Sequence, residues 1–114
     1  MCKYTVIEQE LYTKAFKKLS KSYRNIDLDI KNFLKTINTK KDLGIELQSN
    51  VFKVRIANSD KNRGKSAGYR MISYLAIIKN ELHLLYIYDK SKLANITEKE
   101  VDELITKQIS ATLE

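Results

Sequence analysis

The spacing of apolar residues changes several times along this chain, and each change marks a different element. Tyr4 to Glu8 alternates, with Tyr4 and Val6 on one face and Thr5 and Ile7 on the other, which predicts a short strand. From Leu11 the period lengthens. Leu11, Tyr12, Ala15, Phe16, Leu19 and Tyr23 make one apolar stripe on a helix, with Lys14, Lys17, Lys18 and Lys21 on the outer side. A second helix begins at Asn25, read as its N-cap, with Asp27 and Asp29 in the positive first turn and Ile26, Ile30, Phe33, Leu34 and Ile37 as its stripe. The two helices form a hairpin, and the polar stretch Asn38–Asp42, Gly44 and Ser49-Asn50 separates them from a run of strands.

Phe52 to Ile56 returns to strict alternation, Phe52, Val54 and Ile56 facing a core while Lys53 and Arg55 face away. The polar, turn-forming loop 58–68 ends that strand. Tyr69 to Ile78 is β-branched and aromatic with apolar residues on both faces, the mark of a central strand covered on both sides. Lys79-Asn80-Glu81 has the length of a hairpin turn, which makes Leu82 to Tyr88 an antiparallel neighbour. Thr97 and Glu100 form a T-x-x-E capping box that opens a last helix, with Val101, Leu104, Ile105, Ile109 and Leu113 as its stripe. Helices and strands in separate blocks predict an α+β fold: an N-terminal strand, a helical hairpin, an antiparallel sheet of the three later strands and a C-terminal helix.

Composition narrows this picture. At 114 residues the chain is read as one domain, residues 1–114, and 43% hydrophobic against 31% charged residues is a folding composition. A single cysteine, Cys2, and a single histidine, His83, exclude a disulfide scaffold and a zinc finger, and no metal or other cofactor is expected. There is no long apolar run, so the reading is a soluble, cytoplasmic protein without a membrane partner.

Charge says more. The 21 Lys and Arg exceed the 14 Asp and Glu, for a net charge of +7, which suits a polyanionic partner. The excess is concentrated between Lys53 and Arg70, where Asp60 is the lone acid among six basic residues. Lys53 and Arg55 are two apart on one strand, about 6.6 Å between Cα atoms, a spacing that brackets a phosphate and its neighbour. Arg70 opens the next strand and pairs beside them if the loop is a hairpin. Three cations then share one exposed sheet face, able to hold a phosphodiester and offset the charge that builds on it during cleavage. Cations in this pattern also serve simply to keep a sheet face solvated. An exposed Arg70 is further expected to contribute little to folding. Lys61, Arg63 and Lys65 in the loop add RNA-binding charge, and Tyr69 beside Arg70 is a candidate for stacking on an unpaired base. Gly64-Lys65-Ser66 lacks the glycine-rich lead of a phosphate loop. His83, within an apolar strand, reads as structural with a general-base role as the alternative, and the acids Glu98, Glu100, Asp102 and Glu103 read chiefly as partners of the helix dipole.

Taken together, F-K-V-R-I-A, the basic loop, G-K-S-A-G-Y-R-M-I-S-Y-L, L-H-L-L-Y-I-Y-D-K and the I-T-E-K-E-V-D-E-L-I helix resemble the RelE/HigB-type branch of the RelE/ParE toxin superfamily, most specifically over Val51–Ile105. The resemblance implies the toxin of a type II toxin-antitoxin pair that enters the ribosomal A site and cleaves mRNA there, silenced by a cognate antitoxin. It implies metal-independent chemistry, in which the RNA 2′-hydroxyl attacks the adjacent phosphate under Lys/Arg stabilisation. Lys53 and Arg55 take the family's paired basic positions, one of them acting as general base or orienting the 2′-hydroxyl. Arg70 matches the transition-state arginine, and Lys90 and Lys92 fall near a further basic position, Lys90 as a catalytic and Lys92 as an RNA-binding candidate. The tyrosine that some members carry has no match in 94–100, so the proton donor to the leaving 5′-oxygen stays unassigned. Two alternatives remain: a ParE-like poison of DNA gyrase, which shares the fold without needing those three cations together, and a non-catalytic RNA-binding module.

Overall fold

The structure is a computed structural model that describes residues 3–61, 64, 67–93 and 95–113, without the side chains of 110–113. Strand β1 (Thr5–Glu8) leads into helices α1 (Glu10–Ser20) and α2 (Ile26–Lys35), followed by β2 (Ile45–Gln48), β3 (Val51–Ile56), β4 (Tyr69–Ala76), β5 (Glu81–Asp89) and α3 (Glu98–Leu113). The five strands form one sheet in the order β1-β5-β4-β3-β2. β1 runs parallel to β5, and the other neighbours are antiparallel. β4, the strand with apolar residues on both faces, is at the centre as expected.

β2 is the element that sequence patterning misses. Its four residues, Ile45-Glu46-Leu47-Gln48, lie between Gly44 and the Ser49-Asn50 turn and are mostly exposed, so neither length nor burial marks them. They pair with β3 through a register shift between Glu46 and Gln48 and form a sheet edge. Asn25 also departs from expectation. Its backbone is not in the extended conformation of an N-cap, and its side chain makes no cap bond. Instead its backbone N–H and side-chain amide donate to the Asp60 carboxylate, which ties the start of α2 to the loop after β3.

Strand alternation gives the sheet two apolar faces. On one, Phe52, Ile56, Tyr69, Met71, Leu82, Leu84 and Ile87 pack with Tyr12 and Leu19 of α1 and with Ile26 and Ile30 of α2. On the other, Val51, Ile72, Leu85 and Tyr88 meet Val101, Ile105 and Ile109 of α3. The register of β4 against β5 shifts between Ile72 and Ser73, and around this bulge Leu84 joins the first core while Leu85 joins the second. Each buried aliphatic side chain is worth roughly 1.5–3 kcal/mol, so the Val101, Ile105 and Ile109 stripe supplies much of what holds α3 on the sheet.

A buried carboxylate fastens one end of the sheet. Asp89, the last residue of β5, accepts a close hydrogen bond from the Tyr23 hydroxyl, one from Lys61 Nζ at 2.7 Å, and two from Ser91, from its backbone N–H at 2.9 Å and its hydroxyl at 2.8 Å. Lys61 Nζ completes its shell on the Ala67 carbonyl and the Ser91 hydroxyl. The α1–α2 turn, the loop after β3 and the end of β5 thus meet at one side chain. Burial alone would raise the Asp89 pKa, but the bonds from Lys61, Tyr23 and Ser91 outweigh it and hold the carboxyl below its ordinary value.

A carboxyl whose pKa is lowered by folding stabilises the native state above its unfolded pKa, and that contribution fades as pH falls through the folded value. Asp89→Asn is therefore expected to cost about 3 kcal/mol in urea unfolding at pH 7, since it strands a largely buried ammonium. The gap to the wild type should narrow steadily below about pH 4. A gap that stays constant down to pH 2.5 would show that Asp89 acts through packing rather than charge.

Candidate active site

Three adjacent strands bring the candidate cations together. Arg55 of β3 lies opposite Arg70 of β4, which lies opposite Tyr88 of β5, while Lys53 lies opposite Ile72. Because facing residues of an antiparallel pair share a sheet face, Lys53, Arg55, Arg70 and Tyr88 all project to the α3 side. Two glycines let the backbone close up around them. A Cβ on Gly44 would lie 2.0 Å from the Lys53 carbonyl oxygen, and one on Gly68 would lie 2.1 Å from that of Ile56, so only glycine fits at either place.

The same geometry overturns the expectation of an exposed cationic face. Arg70 is 0% exposed, beneath the first turns of α3. Its Nε donates to Glu98 Oε1 at 3.0 Å. Lys53 Nζ donates to the same oxygen at 3.2 Å and to Asp102 Oδ2 at 2.5 Å. The Tyr88 hydroxyl donates to Asp102 Oδ1 at 3.1 Å and lies 3.4 Å from Glu98 Oε1. Two cations, two carboxylates and a phenol therefore form one closed network between sheet and helix. The pairing has a physical cause: Arg55 and Arg70 are cross-strand neighbours of like charge, an arrangement that repels unless an anion lies beside it.

The start of α3 is set by the expected capping box. The Thr97 backbone N–H donates to Glu100 Oε1 at 3.2 Å, and the Glu100 N–H donates to the Thr97 hydroxyl at 3.1 Å. With that start, Glu98, Asp102, Ile105 and Ile109 recur at helical spacing and form the inner stripe. Glu100 caps the helix, but Glu98 and Asp102 do far more than complement its dipole. Sequence reasoning missed them, although acids in phase with the apolar stripe were the available signal. Burial tends to raise the Glu98 pKa, and the bonds and charges of Lys53 and Arg70 outweigh it, holding the carboxyl below its ordinary range. Burial first, then the charges of Asp102 and Glu98, push the Tyr88 phenol well above its ordinary value, so it carries its proton throughout the neutral range.

The remaining candidates are dispersed around this cluster. Arg55 is exposed beside it. Lys90 and Lys92 are exposed in the turn after β5. Lys61 and Lys92 sit at the same end of the sheet but toward α1 and α2, with ammonium groups 5.4 and 4.7 Å from the Tyr23 ring centroid. Lys61 is engaged by Asp89, and Lys92 donates to the Ser22 hydroxyl at 2.8 Å. Arg63 and Lys65 lie outside the described residues. Tyr69 points the opposite way from Arg70, as alternation requires. It is 0% exposed and meets Tyr23 edge-on, which leaves no surface on which a base could stack. His83 is held between Gln9 and Glu81, roughly 16 Å along β5 from Tyr88. Among the described residues no group of three His, Cys, Asp or Glu side chains is placed to hold a metal ion, and no helix is long and apolar enough to cross a membrane.

Comparison with known proteins agrees with this architecture. A free-state structure of an arginine-substituted E. coli RelE toxin superposes with a TM-score of 0.52 at 15% identity, covering 91% of this chain and 99% of that one. The isolated E. coli RelE toxin superposes with a TM-score of 0.52 at 17% identity, covering 93% of this chain and 98% of that one. At such identities the likeness is one of fold. No curated protein sequence matches the chain. The family model of the RelE toxin of the RelE/RelB toxin-antitoxin system matches residues 9–113, and with this the chain belongs to the RelE toxin family.

Proposed function

We propose that this toxin is a ribosome-dependent mRNA endonuclease, and that Lys53 and Arg70 stabilise the phosphate at the cut. The observation that carries this reading is the convergence of Lys53 Nζ and Arg70 Nε on one anionic oxygen at 3.2 and 3.0 Å. Cations held in advance around a point where negative charge develops are worth far more than mobile ones, because nothing reorganises as the pentavalent phosphate forms. Arg55, exposed on the same face, is placed to hold the adjacent phosphate of the strand. The exposed Lys90, and Lys92 on the α1–α2 side, add positive charge at the same end of the sheet for contact with RNA.

The nucleophile in this reading is the RNA's own 2′-hydroxyl, so the protein supplies charge and proton transfer rather than a metal-bound water. The 2′-oxygen attacks the adjacent phosphorus as its proton is taken up, the P–O5′ bond breaks, and the 5′-oxygen gains a proton. The upstream fragment then ends in a 2′,3′-cyclic phosphate. The family's antitoxin partner silences the toxin, and the reaction takes place in the cytoplasm, where translating ribosomes are.

Lys53→Ala is expected to lower the rate of A-site mRNA cleavage by about 100-fold or more. Arg70 is buried, so Arg70→Ala should also destabilise the fold, and Arg70→Lys is the sharper variant: it keeps a charge but loses the Nε donor. Growth arrest that persists at full strength in a stably folded Lys53→Ala protein would contradict the assignment and favour action on DNA gyrase.

The cut ends give a separate check. Upstream fragments should carry a 2′,3′-cyclic or 3′-phosphate, and the rate should stay flat as free Mg²⁺ is varied within the range that keeps ribosomes intact. A 3′-hydroxyl end would identify water as the nucleophile and overturn the mechanism.

A further inference from the structure

The oxygen on which the two cations converge belongs to the protein itself. Glu98 Oε1 lies 3.2 Å from Lys53 Nζ, 3.0 Å from Arg70 Nε and 3.4 Å from the Tyr88 hydroxyl. Two cationic donors thus hold one anionic oxygen, and the Tyr88 hydroxyl, whose single proton goes to Asp102, lies close enough to turn to it, the arrangement a non-bridging phosphate oxygen would seek. Tyr88 enters this set from β5 as the cross-strand neighbour of Arg70, and nothing in the sequence reading assigned it a part.

From this we infer that Lys53, Arg70 and Tyr88 form a three-donor site for a phosphate oxygen of single-stranded nucleic acid, and that the first turn of α3 fills it with Glu98 until the nucleic acid replaces it. The inference deepens the phosphate-directed reading above and rests on it. Three features support exchange over permanent closure. Glu98 is 27% exposed at its side chain, so water and an incoming phosphate reach it from one side. The apolar contacts of α3 come from Val101, Ile105 and Ile109, all of which follow Glu98, so the helix can fray at Glu98 while the rest stays docked. The carboxylate remains charged at neutral pH, so the exchange replaces one anion by another and leaves the buried Arg70 neutralised in both states.

The test uses the full-length toxin and a short single-stranded oligodeoxyribonucleotide, which lacks the 2′-hydroxyl and stays intact. Glu98→Gln removes the competing charge, and Glu103→Gln removes an equal charge from an exposed position of the same helix. Glu98→Gln should bind the probe about tenfold more tightly than Glu103→Gln. Its log K against log salt should be steeper by roughly 0.7–1.4, as expected when one or two more phosphates are neutralised. Adding Tyr88→Phe to Glu98→Gln should give back about threefold of the gain. Equal affinities for the two single variants, or no effect of Tyr88→Phe, would overturn the inference.

Amide hydrogen exchange on the wild-type protein gives a readout that needs no substitution. Saturating probe should speed exchange at the amides that follow Glu98 in the first turns of α3, and unchanged protection there would count equally against the site. Because the probe cannot be cleaved, a toxin that bound as described but failed to cut mRNA would refute the endonuclease reading alone.

Discussion

A buried guanidinium is the constraint around which this structure is arranged. Arg70 has no exposure, and a desolvated charge of that kind costs several kcal/mol unless an opposite charge lies against it. The sheet cannot supply that charge, because its neighbours on the same face are Arg55, Lys53 and a tyrosine. It comes from α3, where a capped first turn sets Glu98 and Asp102 in phase with the apolar stripe. The helix therefore docks for two reasons at once, aliphatic burial along its length and charge neutralisation at its start.

The toxin thus pre-arranges cations for an anion while keeping an internal anion on them. A protein with +7 net charge and an open pair of buried-edge cations would bind any polyanion it met. Carboxylates set over Lys53 and Arg70 blunt that general attraction, and under the proposed function a substrate held in place by the ribosome would compete with them on better terms than a free strand. On the opposite face of the same sheet end Asp89 solves a related problem with the opposite sign, a buried carboxylate neutralised by Lys61. Charged pairs on both faces of one sheet end hold the ends of β3, β4 and β5 in a fixed relation.

Much of this was legible in the sequence. Helical and strand periodicities located every long element, and the T-x-x-E box placed α3 within a residue of its start. The short edge strand β2 was not visible, because four mostly exposed residues carry no burial pattern. The more instructive gap concerns Arg70. Apolar residues on both faces of β4 predicted a strand covered on both sides, whereas the cations were read as lying on an open face. Both cannot hold for adjacent strands. The covered reading was correct, and the acids on the inner stripe of α3 were what reconciled burial with charge. Tyr69 and Arg70 likewise divide between the faces by simple alternation, which separates an aromatic-plus-cation pair that sequence adjacency suggested. The three-donor arrangement depends on cross-strand register between β4 and β5, including a bulge, and no spacing along the chain encodes that.

The central claim is that Lys53 and Arg70 are a phosphate site. A structure of the toxin bound to an uncleavable single-stranded RNA analogue tests it most directly. The account predicts a non-bridging phosphate oxygen within about 3 Å of both Lys53 Nζ and Arg70 Nε, with the Glu98 carboxylate displaced. A bound strand whose phosphates lie elsewhere, while Glu98 keeps its bonds to both cations, would contradict it.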